Sequence, residues 1–177
     1  MPTKNFSSIG GFAVGSTEIV NTSYELKNIS AIHMVSDNFA DATHDKYLVK
    51  RVTDAANNTL QLTLDGTTAL AENTPALAAD RVSFIKARVF GQETTSNEYV
   101  YATVFDIVVT TANDGTPTVA SSYENIIRNN PPGQEVWNVT PDAFQIGSDP
   151  FFTFEVKSVT TNSTVKWIGI LDITVVS

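Results

Sequence analysis

The chain has 177 residues, 17% of them charged, and 11 basic against 19 acidic residues leave a formal charge of −8. That balance argues against the dense basic surface that phosphate neutralisation or an anionic membrane requires, so neither a nucleic-acid nor a membrane partner is expected. With no cysteine, disulfide frameworks, thiolate metal sites and cysteine nucleophiles are excluded together, and the redox compartment stays open.

The start, MPTKNFSSIGG, has no apolar run suited to a signal peptide, and no later stretch approaches a membrane span. The expectation is a soluble protein. Residues 1–45 are mostly small and polar, with isolated apolar anchors at Phe6, Ile9, Phe12, Val14 and Ile19 and no lasting helical stripe. Such a segment is too thinly apolar to bury itself. It reads as an extended N-terminal arm or small β module that docks on another surface, and Asp37–Asp45 reads as a loop.

From residue 46 to 177 the texture is that of a β-sandwich domain. Tyr47–Val52 reads as a strand, and Leu60, Leu62 and Leu64 alternate with polar residues before an Asp65-Gly66 turn. Thr74-Pro75 suits the cap and first position of a short helical turn. In Val82–Gly91 the residues Ile85, Ala87 and Val89 face a core while Lys86 and Arg88 face out. Glu98–Thr110 is apolar on both faces, as a central strand would be, and Asn113-Asp114-Gly115 signals a hairpin. Tyr123–Arg128 reads as a short strand. Pro131 and Pro132 break the pattern because neither can donate to a ladder. Trp137–Thr140 resumes extended structure, and Phe152, Phe154 and Val156 alternate inward in Phe151–Val159.

The last strand, Thr164–Ser177, places Val165, Trp167, Leu171, Ile173 and Val175 on one side. Its other side carries Ile168, Ile170 and Val176, a candidate subunit-contact face, because a strand apolar on both sides calls for two covers, the second being either the arm or a neighbouring subunit. Phe151–Val159 is its expected hairpin partner. Together these elements predict an all-β fold, an antiparallel β-sandwich, most economically a jelly roll, with an extended N-terminal arm.

Little in the chain points to chemistry. His33 and His44 lack metal-ligand spacing, and Asp37, Asp41 and Asp45 meet no calcium-loop rule. Glu155 and Asp172 are candidates for outer-face neighbours, but both alternate with lysines on solvent-facing positions, which does not promise the burial that splits carboxyl pKa values. Trp167 reads as core. Trp137 reads as more open and is the better candidate for a sugar contact, with Tyr99 and Tyr101 as sandwich residues whose hydroxyls reach a loop. No catalytic residue, cofactor or metal is assigned.

Two stretches resemble known proteins. Residues 11–29 resemble a short module of bacteriophage tail-fibre and other structural proteins, carried by Gly11, Phe12, Val14, Gly15, Leu26, Asn28 and Ile29. Residues 82–176 resemble a β-sandwich domain of phage virion proteins, through Ala87, Val89 and Gly91, then Trp137–Thr140, then Thr164, Val165 and Trp167. The resemblance implies a non-enzymatic virion structural protein, assembled in the host cytoplasm. Its copies would associate as a homotrimer, and its arm would dock on other virion proteins. A tail-fibre or tail-associated role, a capsid decoration (cement) role and a carbohydrate-binding receptor module that contacts a host surface glycan are the three readings. Copy number per particle separates the first two.

Overall fold

The computed structural model describes residues 12–14, 17–20, 29, 31–36, 39–54, 59–159 and 163–176. They fall into two compact units, residues 1–30 and residues 31–177. In the first, β1 (Phe12–Val14) pairs antiparallel with β2 (Thr17–Val20), which places the expected anchors Phe12, Val14 and Ile19 on a small hairpin. Phe6 and Ile9 lie outside the described residues.

The second unit runs β3 (Ala31–Ser36), β4 (Phe39–Thr53), β5 (Thr59–Gln61), a 3-10 turn (Ala71–Asn73), β6 (Arg81–Glu93), β7 (Val100–Thr111), β8 (Pro117–Asn130), β9 (Val136–Ile146), β10 (Asp149–Val159) and β11 (Val165–Val176). One sheet has the order β3-β4-β11-β6-β7-β8 and the other β5-β10-β9, with every pairing antiparallel. All-β architecture and antiparallel pairing are therefore as the alternation predicted. The sheets hold six and three strands, and β6-β7-β8 is a meander, so the two four-stranded sheets of a jelly roll are not reproduced.

Strict alternation builds the core. Along β6, positions 83, 85, 87, 89, 91 and 93 are buried and the residues between them are exposed. Ile85, Ala87 and Val89 meet Phe105 and Ile107 of β7 and Leu171 and Ile173 of β11 on the inner face. The three-stranded sheet supplies Trp137, Val139, Phe152, Phe154 and Val156 to the same core. Phe105 and Phe154 pack at a tilt across the gap at 4.9 Å, and Trp137 meets Trp167 edge-on at 5.9 Å.

Four expectations change. β10 is not the hairpin partner of β11. It belongs to the other sheet and faces β11 across the core, because the inward rows of both strands are largely apolar and bury each other. The terminal strand instead lies between β4 and β6. Residues 39–45 are strand rather than loop, with 42–45 paired to β11 and Phe39 and 43–45 paired to β3, while Asp37 and Asn38 lie outside the described residues. The turn near Thr74 is a single 3-10 turn before it, not a helix after it. There the backbone pairs with β10 instead, since the Phe152 N–H donates to Pro75 O and the Leu77 N–H to Pro150 O. Tyr123–Arg128 is part of the much longer β8.

β4 also runs unbroken through residue 45, and the compact units divide between Ser30 and Ala31, so a boundary at 45/46 cuts a strand. Deleting residues 1–45 removes β3 and the start of β4, and with them ladder bonds on one side of β11. This truncation is expected to lower the melting temperature by about 10 °C or more, while deletion of residues 1–30 leaves cooperative melting of the sandwich in place. Calorimetry on both truncations checks it, and equal melting temperatures would count against the role given to β3.

Candidate functional site: an open sheet face

The outer face of the six-stranded sheet is where sequence and structure leave unfinished business. Ile168 (45% exposed), Ile170 (43%) and Val176 (47%), named above as a candidate contact face, do share one surface. Cross-strand register adds Phe90 beside Ile168, Leu48 beside Ile170 and Val82 beside Val176. Phe84 (50% exposed) and Met34 (42%) extend the patch to either side. Soluble surfaces rarely expose so continuous a set of large aliphatic and aromatic side chains unless something covers them.

The same face is basic. Lys46, Lys50, Lys86, Arg88, Arg128 and Lys166 occupy its outward positions, against Asp106 and Asp172. Six of the chain's 11 basic residues but two of its 19 acidic ones thus sit here, a surplus of four positive charges on a chain of net −8. Lys46, Asp172, Lys86 and Asp106 form one cross-strand row in which the sign alternates, and Lys46 Nζ lies 3.0 Å from Asp172 Oδ1. His44 joins this cluster, with Nδ1 2.9 Å from Thr174 Oγ1. A depression of about 430 Å³ is lined by Lys86, Arg88, Val104, Asp106, Ile170 and Asp172.

The basic surplus escapes a linear reading because it is assembled from β4, β6, β8 and β11. Lys86 and Arg88 were visible as outward residues of one strand, and strand order alone brings the others to the same face.

Other candidates do not converge on this face. Glu155 and Asp172 lie in different sheets and so do not form a pair. The carboxylate diagonal to Glu155 is Asp142 on β9, which accepts a hydrogen bond from Gln61 Nε2 at 2.6 Å. Burial, and then the Asp142 charge, push the Glu155 carboxyl above its ordinary value. Trp137 is not open. It is 2% exposed, packed on Trp167, and its indole N–H donates to Glu135 at 3.0 Å, so the residue proposed for a sugar contact is core. The Tyr101 hydroxyl donates to Glu124 on β8 rather than to a loop. His33 contacts Asp45. Among the described residues no cluster of three His, Cys, Asp or Glu has metal-binding geometry, and no helix is long and apolar enough to cross a membrane.

Beside the face, the 63–73 segment is organised by one carboxylate. Asp65 accepts from the Thr67 backbone N–H at 2.9 Å, from the Thr67 and Thr63 hydroxyls and from Asn73 Nδ2, while Arg51 donates to the Gly66 and Thr67 carbonyls. The Thr67 amide foremost, and then the side-chain donors, hold the Asp65 carboxyl well below the usual carboxylate range. A depressed folded-state pKa means that these bonds contribute fully above the unfolded value of about 3.9 and are lost as pH falls through the lower folded value. Asp65→Ala is expected to raise Thr67 amide exchange about tenfold at neutral pH. The native loop should loosen in the same way only in strong acid. An unchanged Thr67 exchange rate in the variant would remove Asp65 from this role.

No family model and no curated protein matches the chain. Solved structures do. The chain is similar to tailspike protein gp49 of Acinetobacter baumannii bacteriophage Fri1, a capsular polysaccharide depolymerase, at 15% identity and a TM-score of 0.46, covering 82% of this chain and 19% of that one. It is also similar to the Acinetobacter baumannii phage AM24 tailspike protein, at 12% identity and a TM-score of 0.35, covering 81% of this chain and 27% of that one. The chain thus spans about a fifth to a quarter of the length of the tailspikes it matches.

Proposed function

We propose that this chain is a non-enzymatic structural component of a bacteriophage virion, tail-associated, that assembles through the open face of its six-stranded sheet. The observation that carries the reading is that face: large apolar side chains at 41–50% exposure, such as Phe84, Phe90, Ile168 and Ile170, interleaved with basic residues. A surface of that make-up loses free energy when a protein covers it, at roughly 25 cal/mol per Å² of apolar area removed from water. The residue pattern shared with phage structural proteins, above all Ala87, Val89, Gly91 and Trp167, points to the virion as the setting. Three of these four line the core and the fourth, Gly91, lies against Trp167. In this reading residues 1–30 connect the sandwich to a neighbouring virion protein, and copies of the sandwich associate with one another, a trimer being the expected count. A role in host contact follows only if an outward surface stays free.

Gold labelling of particles with an antibody to the sandwich, together with copy counting by quantitative mass spectrometry, tests the placement. Label on the tail with few copies is the expected result. Label over the head with hundreds of copies would assign the chain to capsid decoration, and absence from purified particles would overturn the virion reading altogether.

A further inference from the structure

The outer faces of the two sheets differ in sign. The open face carries a surplus of four positive charges on a chain of net −8. On the far side of the sandwich, the outer side of the three-stranded sheet presents Asp142, Asp149 and Glu155 with Lys157, a net charge of −2. Asp142 and Glu155 are diagonal neighbours across the β9-β10 ladder, a like-charge arrangement that an incoming cation relieves.

We propose that the open face of the six-stranded sheet receives the acidic outer side of the three-stranded sheet of a second copy of this chain, so that copies associate head to tail. The inference rests on the assembly reading above and names the partner and the polarity of that contact. Pairing open face with open face brings together two surfaces that are both basic, which like-charge repulsion disfavours. Pairing open face with acidic sheet matches the signs and covers the apolar rows at once. The smaller sheet sets the size of the contact: β9 and β10, 11 residues long, with the short β5 beside them, make a face near 14 by 37 Å at about 4.8 Å between strands and ~3.4 Å per residue, below the ~800 Å² per partner of a standard interface and in the range of a weak contact. The aliphatic content of the face, Leu48, Ile168 and Ile170 among it, suits a protein partner better than a glycan or nucleic acid, which call for aromatic stacking and polar groups. A contact between two different patches repeats from copy to copy and closes into a ring when the rotation permits.

The test is sedimentation equilibrium on the full chain and three charge-reversed variants, each checked for native circular dichroism. Lys50→Glu, Lys86→Glu, Arg88→Glu and Arg128→Glu together turn the open-face surplus from four positive to four negative charges, Asp142→Lys with Glu155→Lys turns the acidic sheet positive, and the third variant combines all six. Each reversed surface alone is expected to weaken self-association about tenfold or more, and the combined variant to recover it. Recovery is specific to a head-to-tail contact, since reversing the acidic sheet does nothing for two open faces that meet each other. For the unmodified chain, raising salt from about 0.05 to about 0.5 M should weaken association, because the opposed charges are screened. That measurement decides the matter if a variant fails to fold.

Self-association that survives reversal of Asp142 and Glu155, or that salt strengthens, overturns the head-to-tail contact while leaving an assembly role for the open face. A chain that stays monomeric at its highest soluble concentration overturns both. Loss of association in the open-face variant with none in the acidic-sheet variant assigns the face to another partner surface and likewise overturns the proposal.

Discussion

Trp167→Ala is expected to lower the free energy of unfolding by about 3–5 kcal/mol, the range for truncating a buried large aromatic. Trp167 is 1% exposed and sits where the two sheets meet, edge-on to Tyr101 and Trp137 at 5.9 Å each. Its indole N–H donates to Thr53 Oγ1 at 2.9 Å, and the Ser158 hydroxyl bonds the same oxygen at 3.1 Å. Removing the ring therefore opens a cavity and takes a partner from a buried hydroxyl, two costs of the same sign. Denaturant melts of the native and variant chains measure it. A loss below about 1 kcal/mol would mean that the surroundings collapse into the space, contrary to a core locked by three interlocking rings.

Gly91→Ala is expected to cost about 2–3 kcal/mol, although a glycine inside a strand ordinarily weakens it and alanine would be the better residue. Gly91 pairs directly with Trp167 across β6 and β11, and a Cβ at that position would lie 2.5 Å from the indole ring. The ring is held on its other sides by Tyr101 and Trp137, so it has nowhere to move. The sign of the effect separates the two explanations: strand propensity alone predicts a gain, and close approach predicts a loss. Combined with Trp167→Leu, the glycine substitution should cost far less than it does alone, because residues in contact are not additive. A Gly91→Ala chain as stable as the original would show that the ring can shift after all.

These two positions also mark what a linear reading can recover. Trp167 was assigned to the core from alternation alone, and Gly91 appeared in the motif carried by Ala87, Val89 and Gly91. That the two residues face each other depends on β11 inserting between β4 and β6, which no local pattern encodes. The same insertion separates β10 from β11, so the expected hairpin dissolved into two sheets. The error at residues 39–45 has a different cause. DNFADATHD carries few β-branched residues and reads as turn chemistry, but the backbone of Thr43–Asp45 is paired on both sides, with β3 and with β11, and pairing overrides propensity. Trp137 was misread because Pro131 and Pro132 upstream suggest an edge, whereas β9 carries the ring inward against Trp167. The hydrophobic half of the candidate surface, Ile168, Ile170 and Val176, was legible from alternation in one strand. Its basic half was not, because Lys46, Lys86 and Arg128 come to share one face only through sheet order.

A density map of the assembled particle that resolves this chain measures the role of the open face most directly. The expected result is a protein surface seated on Phe84, Phe90, Ile168 and Ile170 in every copy, with carboxylates opposite Lys86 and Arg88. An open face exposed to solvent in the particle, while other surfaces of the sandwich make the contacts, would contradict it.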